Sequence, residues 1–149
     1  MKKLVLAVAA VMALAAPAAF AASDHGKHGG HGSSAHEEVV DGVKAVFTVQ
    51  TMKEAMKAMG MELPKGVKET HHIQVGFTDL KSGKALTEGE VAIKVLAPDK
   101  TEQTKNLSAM QGHFGGDFVM AKKGRYGVMS KFRLKDGTVR QARFWYQVK

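Results

Sequence analysis

Short runs in which apolar and polar residues alternate are the feature that most limits how this chain can fold. Turn-forming residues separate the runs, as at Lys81-Ser82-Gly83 and Asp136-Gly137. A period of two residues is typical of β-strands that bury one face. Seven such runs lie near residues 43–49, 72–77, 91–95, 103–107, 118–120, 126–132 and 142–148. The sequence therefore predicts an all-β fold, an antiparallel β-sandwich of about seven strands.

One short helix is predicted between the first two strands. Thr51 and Glu54 have the spacing of a capping box, in which each side chain accepts a hydrogen bond from the other residue's backbone N–H. Met52, Met56 and Met59 would then lie on one face of the helix. Because methionine fills irregular gaps well, we expect Met52 and Met56 to pack against the core.

The first 21 residues have the pattern of a secretory signal peptide. Lys2 and Lys3 precede a long apolar run, and the segment contains no acidic residue. Small residues surround the expected cleavage site, which follows Ala21 or Ala22. We therefore expect residues 1–21 to be removed on export.

Residues 22–41 are predicted to form a disordered tail, because they contain almost no apolar side chain before Val39. The folded domain would then cover residues 42–149. Four histidines lie in the tail, at His25, His28, His31 and His36. Imidazoles on a flexible chain can bind Cu(II), nickel or zinc. The alternative is a solvated leader that binds metal only adventitiously.

The composition of the chain limits the kinds of metal site and reaction that it can support. It has no cysteine, seven histidines and nine methionines, and its formal charge is +8. The absence of cysteine excludes disulfides, thiolate metal sites and cysteine nucleophiles. Imidazole and thioether ligands favour copper, and thioethers favour Cu(I) in particular. No nucleotide-binding or hydrolase motif occurs, so we predict neither an enzyme nor, in an exported protein, a nucleic-acid partner.

The folded domain offers a second set of candidate metal ligands. His72 lies on the polar face of its predicted strand, so its side chain should be displayed, whereas His71 has the parity of the core face at the strand's start. Met110 and His113 flank Gln111-Gly112 in a glycine-rich turn, where a loop could bring a thioether and an imidazole to one ion. The alternative for each histidine is an ordinary surface or strand-end residue.

The order of several short motifs resembles a known family. These are Gly42 to Val46, then the run Met59-Gly60-Met61-Glu62-Leu63-Pro64, then Glu69 to Gln74. The similarity continues through Met110, His113-Phe114-Gly115 and Tyr126-Gly127-Val128. Together they resemble the periplasmic copper-binding proteins that accompany bacterial iron permeases and, more distantly, YtkA-like and CopC-like domains.

The resemblance implies an immunoglobulin-like sandwich, often dimeric, that holds copper through histidine, methionine and carboxylate ligands near one surface. Carried onto this chain, those ligands fall on His72, Met110 and His113. The carboxylate expected two residues after the strand histidine is Gln74 here. With fewer charged ligands the site should favour Cu(I), and Met59 or Met61 is a candidate for the missing ligand.

The leading hypothesis is a periplasmic protein that captures, buffers or delivers copper. Its partner would be the metal ion and a membrane permease or periplasmic metal acceptor, and it could form a homodimer. One alternative is an immunoglobulin-like adaptor module of a membrane transport or respiratory assembly. Another is an accessory protein of bacterial iron uptake that acts by redox at bound copper.

Overall fold

The alternating runs form an antiparallel β-sandwich in the computed structural model, which describes residues 34–149. One helix, α1 (Met52–Ala58), is present in this part of the chain. The strands are β1 (His36–Val40), β2 (Val43–Thr51), β3 (His71–Asp79), β4 (Ala85–Leu86), β5 (Gly89–Leu96), β6 (Glu102–Asn106), β7 (Ser108–Met110), β8 (His113–Phe118), β9 (Gly124–Leu134) and β10 (Val139–Val148).

The strands divide between two antiparallel sheets. Sheet A has the order β1-β2-β3-β8-β7, with the short β4 also paired to β3. Sheet B has the order β10-β9-β5-β6. The predicted all-β sandwich is therefore confirmed. Within residues 34–149, no helix has the length and apolar character needed to cross a bilayer.

The core lies between the inward faces of the two sheets. Alternate residues of β2 and β3 point inward, and Phe47, Ile73 and Val75 are fully buried. The core faces predicted for these two strands are therefore confirmed, since burial of apolar side chains is what fixes the register of a strand. Other large buried side chains are Phe114, Phe118, Phe132, Ile93, Met120 and Tyr126.

The helix begins at the predicted capping box. The Thr51 hydroxyl accepts a hydrogen bond from the Glu54 N–H at 3.1 Å, and the Glu54 carboxylate accepts one from the Thr51 N–H at 3.0 Å. Met52 is buried, as expected, whereas Met56 is half-buried and is not among the partly buried side chains that pack against the main core.

The fold starts earlier than the sequence predicts. Strand β1 pairs with β2 from His36 onward, so the predicted boundary at residue 42 and the assignment of His36 to a disordered tail are wrong. The His36 ring stacks on Phe144 at 5.0 Å between ring centroids. Because β1 is mostly polar, hydrophobic alternation gave no sign of it. The predicted signal peptide and His25, His28 and His31 lie outside the described residues.

The strand count also exceeds the prediction of about seven. Two of the additional strands, β4 and β7, are only two and three residues long. A further strand, β8, runs through residues that the sequence suggests are a glycine-rich turn. In runs this short or this rich in glycine, period-two alternation is hard to recognise.

A buried cation closes the end of the sandwich that lies away from α1. The Arg140 side chain is buried and donates two hydrogen bonds to the Asp136 carboxylate, at 3.1 and 2.8 Å. It also donates to the Asp41 carbonyl oxygen at 3.1 Å, which ties β10 to the turn between β1 and β2. These hydrogen bonds lower the pKa of Asp136 below its ordinary value.

Candidate metal centre

His72 lies on the outward face of sheet A, as its strand parity predicts. Its neighbours on either side in β3 are buried, whereas its own side chain points away from the core and is 14% exposed. In the strand register it sits between Gln50 of β2 and Asp117 of β8. The imidazole therefore lies against the outer surface of the sheet, next to β8.

Asp117 fixes how the His72 imidazole is presented. The Nδ1 atom of His72 lies 2.7 Å from the Oδ1 atom of Asp117. A carboxylate oxygen accepts hydrogen bonds, so in the neutral imidazole that binds a metal this contact assigns the proton to Nδ1 and leaves the lone pair on Nε2. A histidine that donates one N–H to a carboxylate while its other nitrogen faces outward has the usual arrangement of a metal-ligating histidine.

Gly115 lets the His72 and Met110 side chains come together. A Cβ atom at residue 115 would lie 2.9 Å from the Cε1 and Nε2 atoms of His72 and 3.4 Å from the Cε atom of Met110. Both side chains therefore occupy the space directly above this glycine. The structure thus places the Nε2 atom of His72 and the methyl end of the Met110 thioether over the same glycine.

A tight hairpin positions Met110 and His113. Strands β7 and β8 are joined by Gln111 and Gly112, whose φ angles of +44° and +85° suit a two-residue hairpin turn. Met110 and His113 face each other across this hairpin, so their side chains lie on the same side of the sheet. His113 is half-buried there. Alternation along β8 then puts His113, Gly115 and Asp117 on one face.

His71 faces the opposite side of the sheet from His72. It is buried on the core side, its Nδ1 atom lies 2.8 Å from the Thr70 hydroxyl, and its ring packs edge-on against Tyr146. Burial lowers the pKa of His71, and the nearby Glu54 carboxylate only partly opposes this. The structure therefore does not bring His71 to the same space as His72, and its inclusion with that site is corrected.

The other predicted ligands that the structure describes make contacts elsewhere, and the rest lie outside the described residues. Met59 and Met61 follow the end of α1, where both backbone N–H groups donate to the Met56 carbonyl oxygen and both side chains are exposed. The Nε2 atom of His36 lies 3.3 Å from the Glu38 carboxylate, on the side of β1 that packs against Phe144. His36 is thus part of the sandwich and not of the predicted disordered tail.

The ligands brought together are an imidazole and a thioether, with a carboxylate behind the imidazole. Among residues 34–149, no group of three or more histidines and acidic residues is arranged to hold a metal ion. An oxygen-rich site of the kind that binds Ca²⁺ or Mg²⁺ is therefore not found in that part of the chain. The His72 and Met110 donors suit a soft ion, and Cu(I) above all.

Sequence reasoning missed Asp117 and Gly115, the two residues that organise the cluster. Asp117 lies 45 residues from His72 along the chain, so their contact depends on the pairing of β3 with β8. The available signal was the even spacing of His113, Gly115 and Asp117. That spacing would have indicated one shared face only if the glycine-rich segment had been interpreted as a strand.

Comparison with solved structures places this sandwich among known folds. FetP from uropathogenic E. coli strain F11 superposes with a TM-score of 0.58 at 10% identity, covering 77% of this chain and 93% of FetP. A copper-bound variant of FetP, with glutamine in place of one glutamate, gives a TM-score of 0.56 at 13% identity, covering 75% of this chain and 93% of that one. The chain has the FetP fold.

A third structure extends the comparison. A DUF4426 family protein from Pseudomonas aeruginosa PAO1 superposes with a TM-score of 0.56 at 12% identity, covering 76% of this chain and 93% of the other. No protein-family model matches the sequence, and no curated protein matches it either. The resemblance to the FetP type of protein is confirmed at the level of the fold.

Proposed function

We propose that the chain is a periplasmic copper-binding protein that captures Cu(I) and delivers it to an acceptor. His72 and Met110 would bind the ion above Gly115, and His113 would add a third ligand from the same face of the sheet. No reaction is part of this proposal. The protein would act as a carrier or buffer, and a membrane permease or periplasmic metal protein would receive the ion.

The observation that carries the proposal is the meeting of the His72 imidazole and the Met110 side chain over one glycine. The hydrogen bond between His72 and Asp117 supports the proposal. It involves Nδ1 of His72 and leaves Nε2, which lies over Gly115, to bind a metal. A thioether and a neutral imidazole together favour Cu(I) over harder ions. FetP is copper-bound in a variant that lacks one glutamate, so in that protein the fold holds copper without that carboxylate.

Met59 and Met61 are proposed as further ligands that would bind the ion after a movement of their loop. Both side chains are exposed in the turn after α1, and they are not committed to the core. They would reach the ion only if the loop between α1 and β3 moved over β3. Replacing both with leucine should then weaken Cu(I) binding, and unchanged affinity would remove them from the site.

The histidines of the tail are proposed to collect metal for the folded site. His36 of β1 pairs with Phe47 of β2, which pairs with Val75 of β3. His72 lies three residues before Val75, so two strand spacings and three residues separate His36 from His72. Strand spacing and rise put the two backbones about 14 Å apart. The five residues from His31 to His36 can span at most about 17 Å. A metal bound by the tail is therefore within reach of the site.

The test is an anaerobic Cu(I) titration against a competing chelator. The protein is residues 22–149 with His25, His28 and His31 changed to alanine, so that only the folded domain binds. We expect one equivalent of Cu(I), with affinity greatly reduced by His72→Ala and by Met110→Leu. Met129→Leu is the matched control, because Met129 lies on sheet B and its replacement should leave the affinity unchanged.

Two results would contradict the proposal. One is failure of the protein with the altered tail to bind Cu(I). The other is binding that survives His72→Ala and Met110→Leu together. Either result would favour the alternative of an adaptor module whose histidines are incidental.

A further inference from the structure

The outward face of sheet B carries an excess of positive charge. Alternate residues of β5, β6, β9 and β10 point away from the core, and five of them are cations. They form what we call the basic face: Lys94, Arg125, Lys131, Arg133 and Arg143. The only acidic residues at outward positions of these four strands are Glu90 and Glu102. Cations therefore outnumber anions by three.

The two acidic residues are already paired. The Glu90 carboxylate lies 2.6 Å from Arg133, and the Glu102 carboxylate lies 3.0 Å from Lys94. Lys131 and Arg143 form no ion pair with any described residue, and both are exposed. The uncompensated charge therefore lies on the inner strand β9 and on the neighbouring edge strand β10.

An exposed indole stands at one end of the same face. Trp145 is 59% exposed, and the Arg125 guanidinium lies 4.4 Å from the centre of its ring. The ring lies over Gly127, where a Cβ atom would come within 3.2 Å of it. An exposed tryptophan beside basic residues is a frequent arrangement at the interface between a bilayer and water.

We propose that the basic face docks on the anionic surface of a phospholipid bilayer. The cations lie on three neighbouring strands, and three of them, Lys94, Lys131 and Arg143, line one open depression of this face together with Glu38 of β1. Arg125 and Arg133 extend the positive charge along β9 beyond that depression, which suits a broad charged surface better than a single acidic group. Trp145 would lie at the level of the headgroups, and Lys131 and Arg143 would supply the attraction. The proposal is independent of copper, because this face is on the opposite side of the sandwich from His72.

Vesicle binding of residues 22–149 tests the proposal, with vesicles of phosphatidylglycerol or of phosphatidylcholine. We expect sedimentation with phosphatidylglycerol only, and weaker binding at high salt. Trp145 is the only tryptophan in the chain. Its emission should therefore shift to shorter wavelength on binding, and lipids with brominated acyl chains should quench it.

Charge reversal locates the binding face. Lys131→Glu with Arg143→Glu should lower the vesicle partition coefficient by more than about tenfold, since each basic residue near an anionic surface contributes roughly fivefold. Lys81→Glu with Lys84→Glu makes the same change in net charge in the exposed turn between β3 and β4. This control should change the coefficient by less than about twofold if binding depends on the face.

Three outcomes would overturn the proposal. Equal losses in the two double variants would mean that net charge alone attracts the protein. Binding without a change in Trp145 emission would mean that another face contacts the lipid. No binding to phosphatidylglycerol at low salt would reject the bilayer and leave an acidic protein surface as the partner of this face.

Discussion

At the scale of single residues, Gly115 determines whether the His72 and Met110 side chains can meet. Gly115→Ala would place a Cβ atom 2.9 Å from the imidazole and 3.4 Å from the Met110 methyl group. The two ligands would have to move apart, so we expect Cu(I) affinity to fall by about tenfold or more, as for other losses of ligand positioning. A competition titration measures this change.

The matched control is Gly76→Ala. Gly76 also points outward from β3, but a Cβ atom there would have nothing within 4 Å. The Cu(I) affinity of the Gly76→Ala variant should match that of the unaltered protein. Equal losses in the two variants would show that alanine disturbs the strands and not the ligand geometry.

Asp117 provides a second prediction at this scale. In Asp117→Asn the side-chain amide can donate to Nδ1 of His72, which would move the imidazole proton to Nε2, the nitrogen proposed to bind copper. Loss of such a partner typically costs 10–100-fold in metal affinity, and we expect a fall of about that size. Asp99→Asn is a suitable control, because Asp99 pairs with Lys122 away from the site. An unchanged affinity in Asp117→Asn would mean that the hydrogen bond does not orient a ligand.

Asp136 gives a prediction for pH dependence. The hydrogen bonds from Arg140 lower the pKa of Asp136 in the folded protein, so this carboxylate stabilises the fold at every pH above its unfolded pKa of about 4. That contribution is lost as the pH falls through the folded pKa. Asp136→Asn should therefore reduce the free energy of unfolding at neutral pH, and the difference should close below about pH 4.

Denaturant unfolding at about pH 7, 5 and 3 would check this pH dependence of the stability difference. These values span roughly the range over which carboxylates titrate. Asparagine can still accept the hydrogen bond from the Thr138 N–H, which is 3.0 Å from Asp136 Oδ1, so the turn itself should persist. A difference between the two proteins that stays constant down to pH 3 would contradict the assignment.

At the scale of elements, strand β1 decides how the tail should be removed. Because His36 pairs with Phe47 and stacks on Phe144, a deletion that includes it would damage the sandwich. Changing His25, His28 and His31 to alanine leaves β1 intact. We expect the affinity of the folded site to be unchanged, whereas metal loading at scarce copper should slow, since tethered weak sites raise the local concentration. Equal loading rates would mean that the tail does not supply the site.

The elements also show what the alternation of residues could predict. It identified the inward faces of β2 and β3, and the capping box identified the start of α1, because these signals are local. It did not reveal β1, whose polar residues are held by pairing with β2. It also treated the start of β8 as a turn, because Gly115 and Gly116 have no side chains to show which face is buried.

At the scale of the whole molecule, the core and the candidate site should be separable. Ile93 is fully buried in sheet B, and Ile93→Ala should lower the free energy of unfolding by about 2–5 kcal/mol. The Cu(I) affinity should not change, because the proposed ligands lie on the outer surface of sheet A. Urea unfolding and the chelator titration measure the two quantities. A parallel loss of affinity would show that the site depends on core packing.

The composition of the site could be predicted only in part, for a reason that concerns the whole fold. Strand parity alone showed that His72 points outward, and spacing showed that Met110 and His113 flank a turn. Whether these residues meet depends on β8 lying beside β3, and nothing local in the sequence specifies a pairing between strands so far apart. His71 was included among the candidate ligands as a residue at the start of the strand, although its parity already assigned it to the core face.

The position of Met110 on β7 has a consequence for how an ion would leave. This strand is three residues long, stands at the rim of sheet A and is paired on one side only, to β8. A thioether at an open rim can be approached by an incoming ligand while the imidazole still holds the ion. Transfer would then proceed by stepwise ligand exchange, with the sulfur released first and the histidine last.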